Sequence, residues 1–380
     1  MDFRYTEEQQ ALADTLQRFV AREYGFERRR DLARSPLGFS EDAWQLYAEL
    51  GLLRLPFPRE FGGLEGDGID VMIVMEQVGR GLLLEPYLST VVLCGGLIRD
   101  GAPAVMQAAI LAGIAAGKLK LALGAYEPQS RYDLRRISST AARSQSGWRI
   151  SGRKCVVLDA PSADFFVVSA RTCPAAREPA QDLALFLVPR EAGGVSLLPY
   201  STQSGGRAAD LALANVYVEE SALIAPAGSA HDILERAVDR AAAALCAEAV
   251  GIVGMLNQAT LSHLKTRRQF GVPIGAFQVL QHRMADMYIA EEQMRSMAIA
   301  AALKAGSDDA AGRRAVAGSK AYIGEAARFV GQQALQLHGA MGMVEDFVVS
   351  HYFKRLTMID MTLGDADFQL ARFSDSMTVA

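Results

Sequence analysis

The chain has 380 residues, half of them apolar and 22% charged, which is enough for a large core and for two to three domains of about 150 residues. Its 39 Lys and Arg against 43 Asp and Glu leave a net charge of −4 with no basic stripe, which argues against a polyanionic or nucleic-acid partner. Cys94, Cys155, Cys173 and Cys246 are scattered without a CxxC pair, which excludes a disulfide scaffold and a zinc ribbon and fits a reducing compartment.

No apolar run follows Met1-Asp2-Phe3-Arg4, so no signal peptide is expected. Thr6 with Glu7 and Glu8 opens an amphipathic helix carrying Leu12, Leu16, Phe19 and Val20 on one face. A second helix starts at Ser40-Glu41, carries Trp44, Leu46, Tyr47 and Leu50, and stops at Gly51. Residues 54–68, rich in proline and glycine, form a loop, and Ile69 to Leu84 and Leu88 to Ile98 read as further helices. The apolar windows 82–98 and 241–256 are interrupted by Glu85 and Glu248 and fall short of ~20 clean apolar residues. No membrane span and a cytoplasmic location are therefore expected.

From about 118 to 226 the period shortens. The β-prone runs Trp148–Ile150, Cys155–Leu158, Phe165–Ser169, Leu183–Val188, Val195–Leu198 and Leu211–Val218 alternate with turn signals such as Ser151-Gly152 and Gly205-Gly206. From about 229 the chain is helical again, near 231–265, 276–305 and 310–338, with Asp308-Asp309 as a start signal for the last of these. Long helices with short connections suggest an antiparallel bundle. The order is helical, β, helical.

Common catalytic signatures are missing. Gly113 to Lys118 looks like a phosphate loop but is one residue short, and it is rejected. Arg267-Arg268-Gln269-Phe270-Gly271-Val272-Pro273-Ile274, followed by Phe277-Gln278, has two readings. It is a helix C-terminus with basic residues, a glycine cap and a proline stop, or a guanidinium beside an exposed ring that suits a phosphate next to a planar group. Gln336-Leu337-His338-Gly339-Ala340-Met341-Gly342 is either a helix end or a place where backbone approaches a ligand, with His338 more simply a packed or capping residue. Glu127-Pro128, after the apolar run Leu119–Ala125, is by itself only a turn.

In this order, on this scaffold, these segments resemble the acyl-CoA dehydrogenase family over essentially the whole chain. Pro58-Arg59-Glu60-Phe61-Gly62-Gly63 resembles that family's P-x-E-[YF]-G-G loop, and Glu76-Gln77-Val78-Gly79-Arg80 its E-x-x-G-R. Arg267 to Ile274 is similar to R-x-Q-F-G-x-P-I, and Gln336 to Gly342 to Q-x-x-G-G-x-G with Ala340 for the second glycine. The resemblance implies a mostly α fold with a central β domain: an N-terminal helical domain over 1–117, a middle β-barrel over 118–226 and a C-terminal four-helix bundle over 227–380. It also implies FAD-dependent α,β-desaturation of an acyl-CoA thioester, with electron-transfer flavoprotein as acceptor. A carboxylate would remove the α-proton while the thioester oxygen is hydrogen-bonded. The FAD site would be built across a subunit interface, with Arg267, Phe270, Gln278, Gln336, Gly339 and Gly342 holding the adenosine-diphosphate end.

The other half departs from the family. In place of T-E-P-x-x-G-S-D stands Tyr126-Glu127-Pro128-Gln129-Ser130-Arg131-Tyr132-Asp133, so Tyr126 replaces the threonine that bonds the flavin and Tyr132 the serine near the substrate. In place of G-x-K-x-W-I-[TS]-N stands Gly152 to Asp159, which puts Val156 and Leu158 where an aromatic and a hydroxyl contact the ring. Counting without gaps from Gln336, the family's Y-E-G falls on Thr362-Leu363-Gly364, and the alternative base position on the first bundle helix falls on Ala241. Neither carries a carboxylate, and Asp239, Glu248, Asp360 and Asp365 nearby read as solvated or helix-end acids. Arg131, Arg135 and Arg136 could meet an acidic acyl group or form a solvated basic face.

The pattern resembles the small, base-lacking subunit of two-component enzymes such as pimeloyl-CoA dehydrogenase. Such a subunit completes the FAD site of a catalytic paralogue. The alternatives are an autonomous homodimer or homotetramer with a relocated base, and a flavin-free acyl-CoA-binding scaffold.

Overall fold

Thr6 opens the first helix with a capping box: its hydroxyl accepts from Gln9 N at 3.2 Å, and Gln9 Oε1 accepts in return from Thr6 N at 3.2 Å. The computed structural model describes residues 5–173, 181–307 and 309–378. Helices α1 (Glu7–Glu23), α2 (Phe26–Arg34), α3 (Glu41–Glu49) and α4 (Gly68–Gly81) precede a π-helical segment, Leu88–Gly95, that runs on into α5 (Gly96–Gly101), and α6 (Ala104–Ala115) follows. Strands β1 (Leu121–Gly124), β2 (Thr140–Ser144), β3 (Gly147–Leu158), β4 (Phe165–Arg171), β5 (Leu183–Pro189), β6 (Val195–Ser201), β7 (Arg207–Glu219) and β8 (Leu223–Ala225) come next. The remainder is α7 (Ala230–Thr266), a hairpin of β9 (Arg268–Gln269) and β10 (Val272–Pro273), α8 (Gln278–Lys304), α9 (Ala310–His338), α10 (Val348–Met361) and α11 (Ala366–Thr378).

Ser40 starts α3 by accepting from Ala43 N at 3.2 Å, and Gly51, at φ 78°, turns the chain away after it. Asp309 caps α9 through Gly312 N at 2.6 Å, while Asp308, expected to share that role, lies outside the described residues. Gly113 is inside α6, and its carbonyl accepts from Lys118 N and Leu119 N, so this stretch is a helix end and not a phosphate loop. The runs Trp148–Ile150 and Cys155–Leu158, read as two strands, are one strand, β3. Ser151-Gly152 is a bulge in it instead of a turn: a Cβ on Gly152 would lie 2.1 Å from Ser139 Oγ, so only glycine lets the chains approach there.

The chain folds into two compact units. One, made of Leu32–Gly66 and Leu84–Ala241, holds an eight-stranded sheet of order β6-β7-β3-β2-β4-β5-β8, with β1 pairing parallel to β4. Its core is built on Ile150, Phe166, Val168, Phe186, Val188 and Leu211, all essentially excluded from water.

The other unit, made of Met1–Asp31, Asp67–Leu83 and Ala242–Ala380, is helical. Here α4 and α7 cross at van der Waals distance through two glycines. A Cβ on Gly79 would sit 2.1 Å from the Glu248 carbonyl oxygen, and one on Gly251 would sit 2.0 Å from that of Glu76. Glu76 accepts from Arg295 Nη1 on α8 at 3.2 Å through both oxygens. The Glu76–Arg80 segment is therefore a helix-packing motif. Helix α7 has the length and composition to cross a membrane, with a mean hydropathy of 1.4, but 83% of that stretch is buried in the protein, which marks it as a core helix.

Candidate functional site

In the helical unit, α7 ends at Thr266, and Arg267 donates its N–H to the His263 carbonyl at 2.8 Å. The chain then forms the β9–β10 hairpin, whose two turn residues, Phe270 and Gly271, have φ of 54° and 81°. Gly271 thus serves a two-residue hairpin turn and not a helix cap. Phe270, at the tip, is 89% exposed and meets Phe277 edge-on with ring centroids 6.0 Å apart. Gln278, also exposed, begins α8.

At the end of α9, Gln336 and Gly339 are exposed and Gly342 is buried. His263 and His338 join the two segments, their rings 4.6 Å apart and tilted by 30°. His338 is packed, as expected. Its Nδ1 donates to the Ala334 carbonyl at 2.9 Å, and its ring lies 5.4 Å from that of Phe347. The sequence reading did not single out His263, which sits one helical turn before Arg267.

Leu363 stands in a turn after α10 at φ 60°, a conformation that is unusual for a bulky side chain, and it is 6% exposed. The turn is held from three sides. Lys320, wholly buried on α9, donates Nζ to the carbonyls of Ile359 (2.9 Å), Asp360 (3.0 Å) and Gly364 (3.0 Å). Gln369 Nε2 donates to the Leu363 carbonyl at 2.8 Å, and Asp360 Oδ1 accepts from Ala366 N at 3.2 Å. Lys320 carried a readable signal, since it interrupts the apolar stripe Val316, Ala317, Ile323, Ala327 at helical spacing.

Of the four nearby acids, three, Asp239, Glu248 and Asp360, are buried and not solvated as expected. Glu248 is buried and takes a bidentate ion pair from Arg355 at 2.5 and 2.7 Å. Asp360 is buried and takes Arg328 Nη2 at 2.6 Å. Asp365 is a helix-end acid, capping α11 through Phe368 N at 2.9 Å. In the sheet unit, Asp239 is buried, and Ala241 is buried beside Arg240, whose guanidinium pairs with Asp100. Burial pushes the Asp100 carboxyl up, but Arg99 and Arg240 outweigh this and hold it below the usual carboxylate range.

The sheet unit also holds the loop that follows β1. Glu127, 2% exposed, accepts from Lys154 Nζ at 2.7 Å, from Ser138 N and Oγ at 2.8 and 2.5 Å, and from Ser139 N and Oγ at 3.0 and 2.6 Å. Burial raises its pKa, yet the Lys154 ammonium and the serine hydrogen bonds win and hold it well below the carboxylate range. Cys155 N donates to the Tyr126 carbonyl at 2.9 Å, and Arg131 lies over the Tyr132 ring at 5.4 Å. Arg135 is paired with Asp133 at 3.0 Å. Val156, at φ 52° in the second bulge of β3, is 50% exposed and donates N–H to Asp210 Oδ1 at 3.2 Å. Leu158 is half-buried.

Three family models cover the chain: the acyl-CoA dehydrogenase N-terminal domain over 6–118, the middle domain over 122–219 and the C-terminal domain over 229–378. Acyl-CoA dehydrogenase fadE12 of Mycobacterium tuberculosis is 30% identical over 354 residues, covering 92% of this chain and 90% of that one. The chain belongs to the acyl-CoA dehydrogenase family. It is an oxidoreductase-family flavoprotein with this family's fold, mostly helical around a central sheet. Among solved structures, a chain of the ChsE4–ChsE5 complex from Mycobacterium tuberculosis is 25% identical, with a TM-score of 0.89 and full coverage of both chains. The glutaryl-coenzyme A dehydrogenase glutaryl-CoA complex is 25% identical, with a TM-score of 0.92 over 100% of this chain and 98% of that one.

Residues in the helical unit fit a dinucleotide end. The Arg267 guanidinium makes no hydrogen bond or ion pair among the described residues, and Gly339, at φ 62°, has open space where a Cβ would stand. Gly342 is needed for packing, since a Cβ there would lie 3.0 Å from the Leu335 carbonyl oxygen at the end of α9. Residues in the sheet unit offer a flavin ring less: Val156 has no stacking face and Leu158 no donor.

Proposed function

We propose that this chain is the auxiliary subunit of a two-component acyl-CoA dehydrogenase, similar to the small base-lacking subunit of the pimeloyl-CoA type. It lends the adenosine-diphosphate half of an FAD site to a catalytic paralogue. Bound FAD would supply the hydride acceptor for α,β-desaturation of an acyl-CoA thioester, with electron-transfer flavoprotein as the onward acceptor. In this chain Arg267 would neutralise a phosphate, Phe270 and Gln278 would border the adenosine, and Gln336, Gly339 and Gly342 would let backbone approach it. The division into 1–117, 118–226 and 227–380 as helical, β and bundle domains belongs to the same reading.

The observation that carries the proposal is Leu363. It fills the family's base position in a turn fixed by Lys320, Gln369 and Asp360, while Glu248 and Asp360 are committed to arginines. Leucine cannot take a proton. Both oxygens of Glu248 and Oδ2 of Asp360 already accept from guanidinium N–H groups, so these acids are engaged by arginines. The likeness to a chain of the ChsE4–ChsE5 complex supports a heteromeric arrangement.

The test is flavin absorbance after purifying the chain alone and co-expressed with a neighbouring catalytic paralogue. Colourless protein alone, with about one FAD per pair of chains and acyl-CoA dehydrogenase activity in the co-purified complex, is expected. One FAD per chain in the lone protein, with activity, would establish an autonomous enzyme with a relocated base. No flavin in either preparation would leave the scaffold role.

A further inference from the structure

His263 and His338 belong to different helices, 75 positions apart in the sequence, yet stack at 4.6 Å where the Arg267 and Gln336 segments meet. His338 is 5% exposed, and its Nδ1 donates to a carbonyl, so in the neutral ring Nε2 is a bare acceptor. That Nε2 is buried and has no hydrogen-bond partner among the described residues. A second imidazole stacked on such a ring is held in place on one face and left free at its own edge. His263 is that imidazole. It is only partly buried, makes no ion pair among the described residues, and sits in the last turn of α7, where its carbonyl accepts from the N–H of Arg267, the first residue beyond the helix. One anionic group can therefore be flanked by a permanent cation, Arg267, and by a conditional one.

We propose that His263 is a second phosphate-binding residue of the adenosine-diphosphate half-site, taking up a proton as a pyrophosphate binds. The inference rests on the reading of Arg267 and the Gln336 segment as that half-site. In the free chain burial, His338 and Arg267 all push the imidazole below its ordinary pKa, so it is neutral at pH 7. Those neighbours, Arg267 just beyond the end of α7 and His338 on α9, carry no negative charge, so nothing there opposes their effect. A phosphate placed beside the ring favours the charged form, and binding draws a fraction of a proton from solvent at pH 7. Affinity should then rise as pH falls.

The test uses the full chain, in its paralogue complex where one forms, with ADP-ribose as the probe. Its pyrophosphate is esterified at both ends and does not itself titrate near neutrality. Calorimetry at pH 7 in buffers of different ionisation enthalpy reads the proton uptake directly. A companion series from pH 6 to pH 8 should show affinity falling about 3- to 10-fold, the linkage expected when binding raises one imidazole pKa by roughly one unit. H263Q should remove both the uptake and the pH dependence while keeping the wild-type melting temperature. Arg267-dependent binding with no proton uptake overturns the role of His263 and leaves the half-site reading standing. Uptake that persists in H263Q assigns the proton to His338 and overturns it equally. Absence of binding, or binding indifferent to Arg267→Ala, removes the half-site reading and this inference together.

Discussion

At the scale of single residues, Leu363 and Glu127 are both fixed by polar contacts from neighbouring side chains. Leu363 is an apolar side chain held in the left-handed region by bonds to its own carbonyl and to its neighbours', so the backbone of this turn is fixed, and the proposal assigns it the place of the base. In flavin-loaded protein, Leu363→Glu is expected to raise the rate of flavin bleaching by acyl-CoA at least about 10²-fold, the lower end of what a positioned base supplies. A rate unchanged in stopped-flow absorbance would locate a second defect at Val156 and Leu158.

Glu127 works through its charge. Its folded pKa lies below the unfolded value of about 4.3, so the stability it contributes is complete above that value and is lost as pH falls toward the folded one. Glu127→Gln strands the buried Lys154 ammonium and should cost about 3 kcal/mol at pH 7. Thermal melts between pH 6 and pH 3 should show the variant losing stability less steeply with acid than the wild type. Parallel acid limbs would mean that the carboxylate is not the titrating anchor.

At the scale of elements, buried polar side chains fix how helix ends and loops are shaped. Lys320 replaces solvent for three carbonyls at the end of α10. Lys320→Met keeps the stem's packing and leaves those oxygens unsatisfied, for an expected loss of about 3 kcal/mol in denaturant unfolding. A loss below about 1 kcal/mol would show that the turn finds other donors. The glycine crossing of α4 and α7 has the same lesson in apolar form, since Gly79 and Gly251 permit a backbone approach that any Cβ would block. Helices α1, α3, α7, α8 and α9 were legible from caps and apolar period because those signals are local. Strand β3 was not, because a bulge at Gly152 and a turn at Gly152 present the same residues to a reader of sequence.

At the scale of the whole molecule, the proposal predicts an assembly whose flavin depends on this chain. Arg267→Ala should lower FAD retention of the paralogue complex about 10-fold in dialysis, the worth of a lost charge-assisted phosphate contact, with the complex otherwise intact by gel filtration. Unchanged retention would mean that the adenosine-diphosphate end is held without this chain's Arg267.

The sequence by itself determined the helical–β–helical order and the family, and the proposal that Leu363, Val156 and Tyr126 stand where the family's chemistry needs other residues also starts from it. These are matters of residue identity and local period, and both survive without coordinates. Only the tertiary structure decided what the surviving acids are for. Glu248 and Asp360 are bound to Arg355 and Arg328, 107 and 32 positions away, and their ion pairing leaves no trace in the residues around them. The meeting of His263 with His338 is of the same kind. A side chain's own neighbours in sequence fix whether it lies on a buried face, whereas its partner is chosen by the packing of elements the chain brings back from far away.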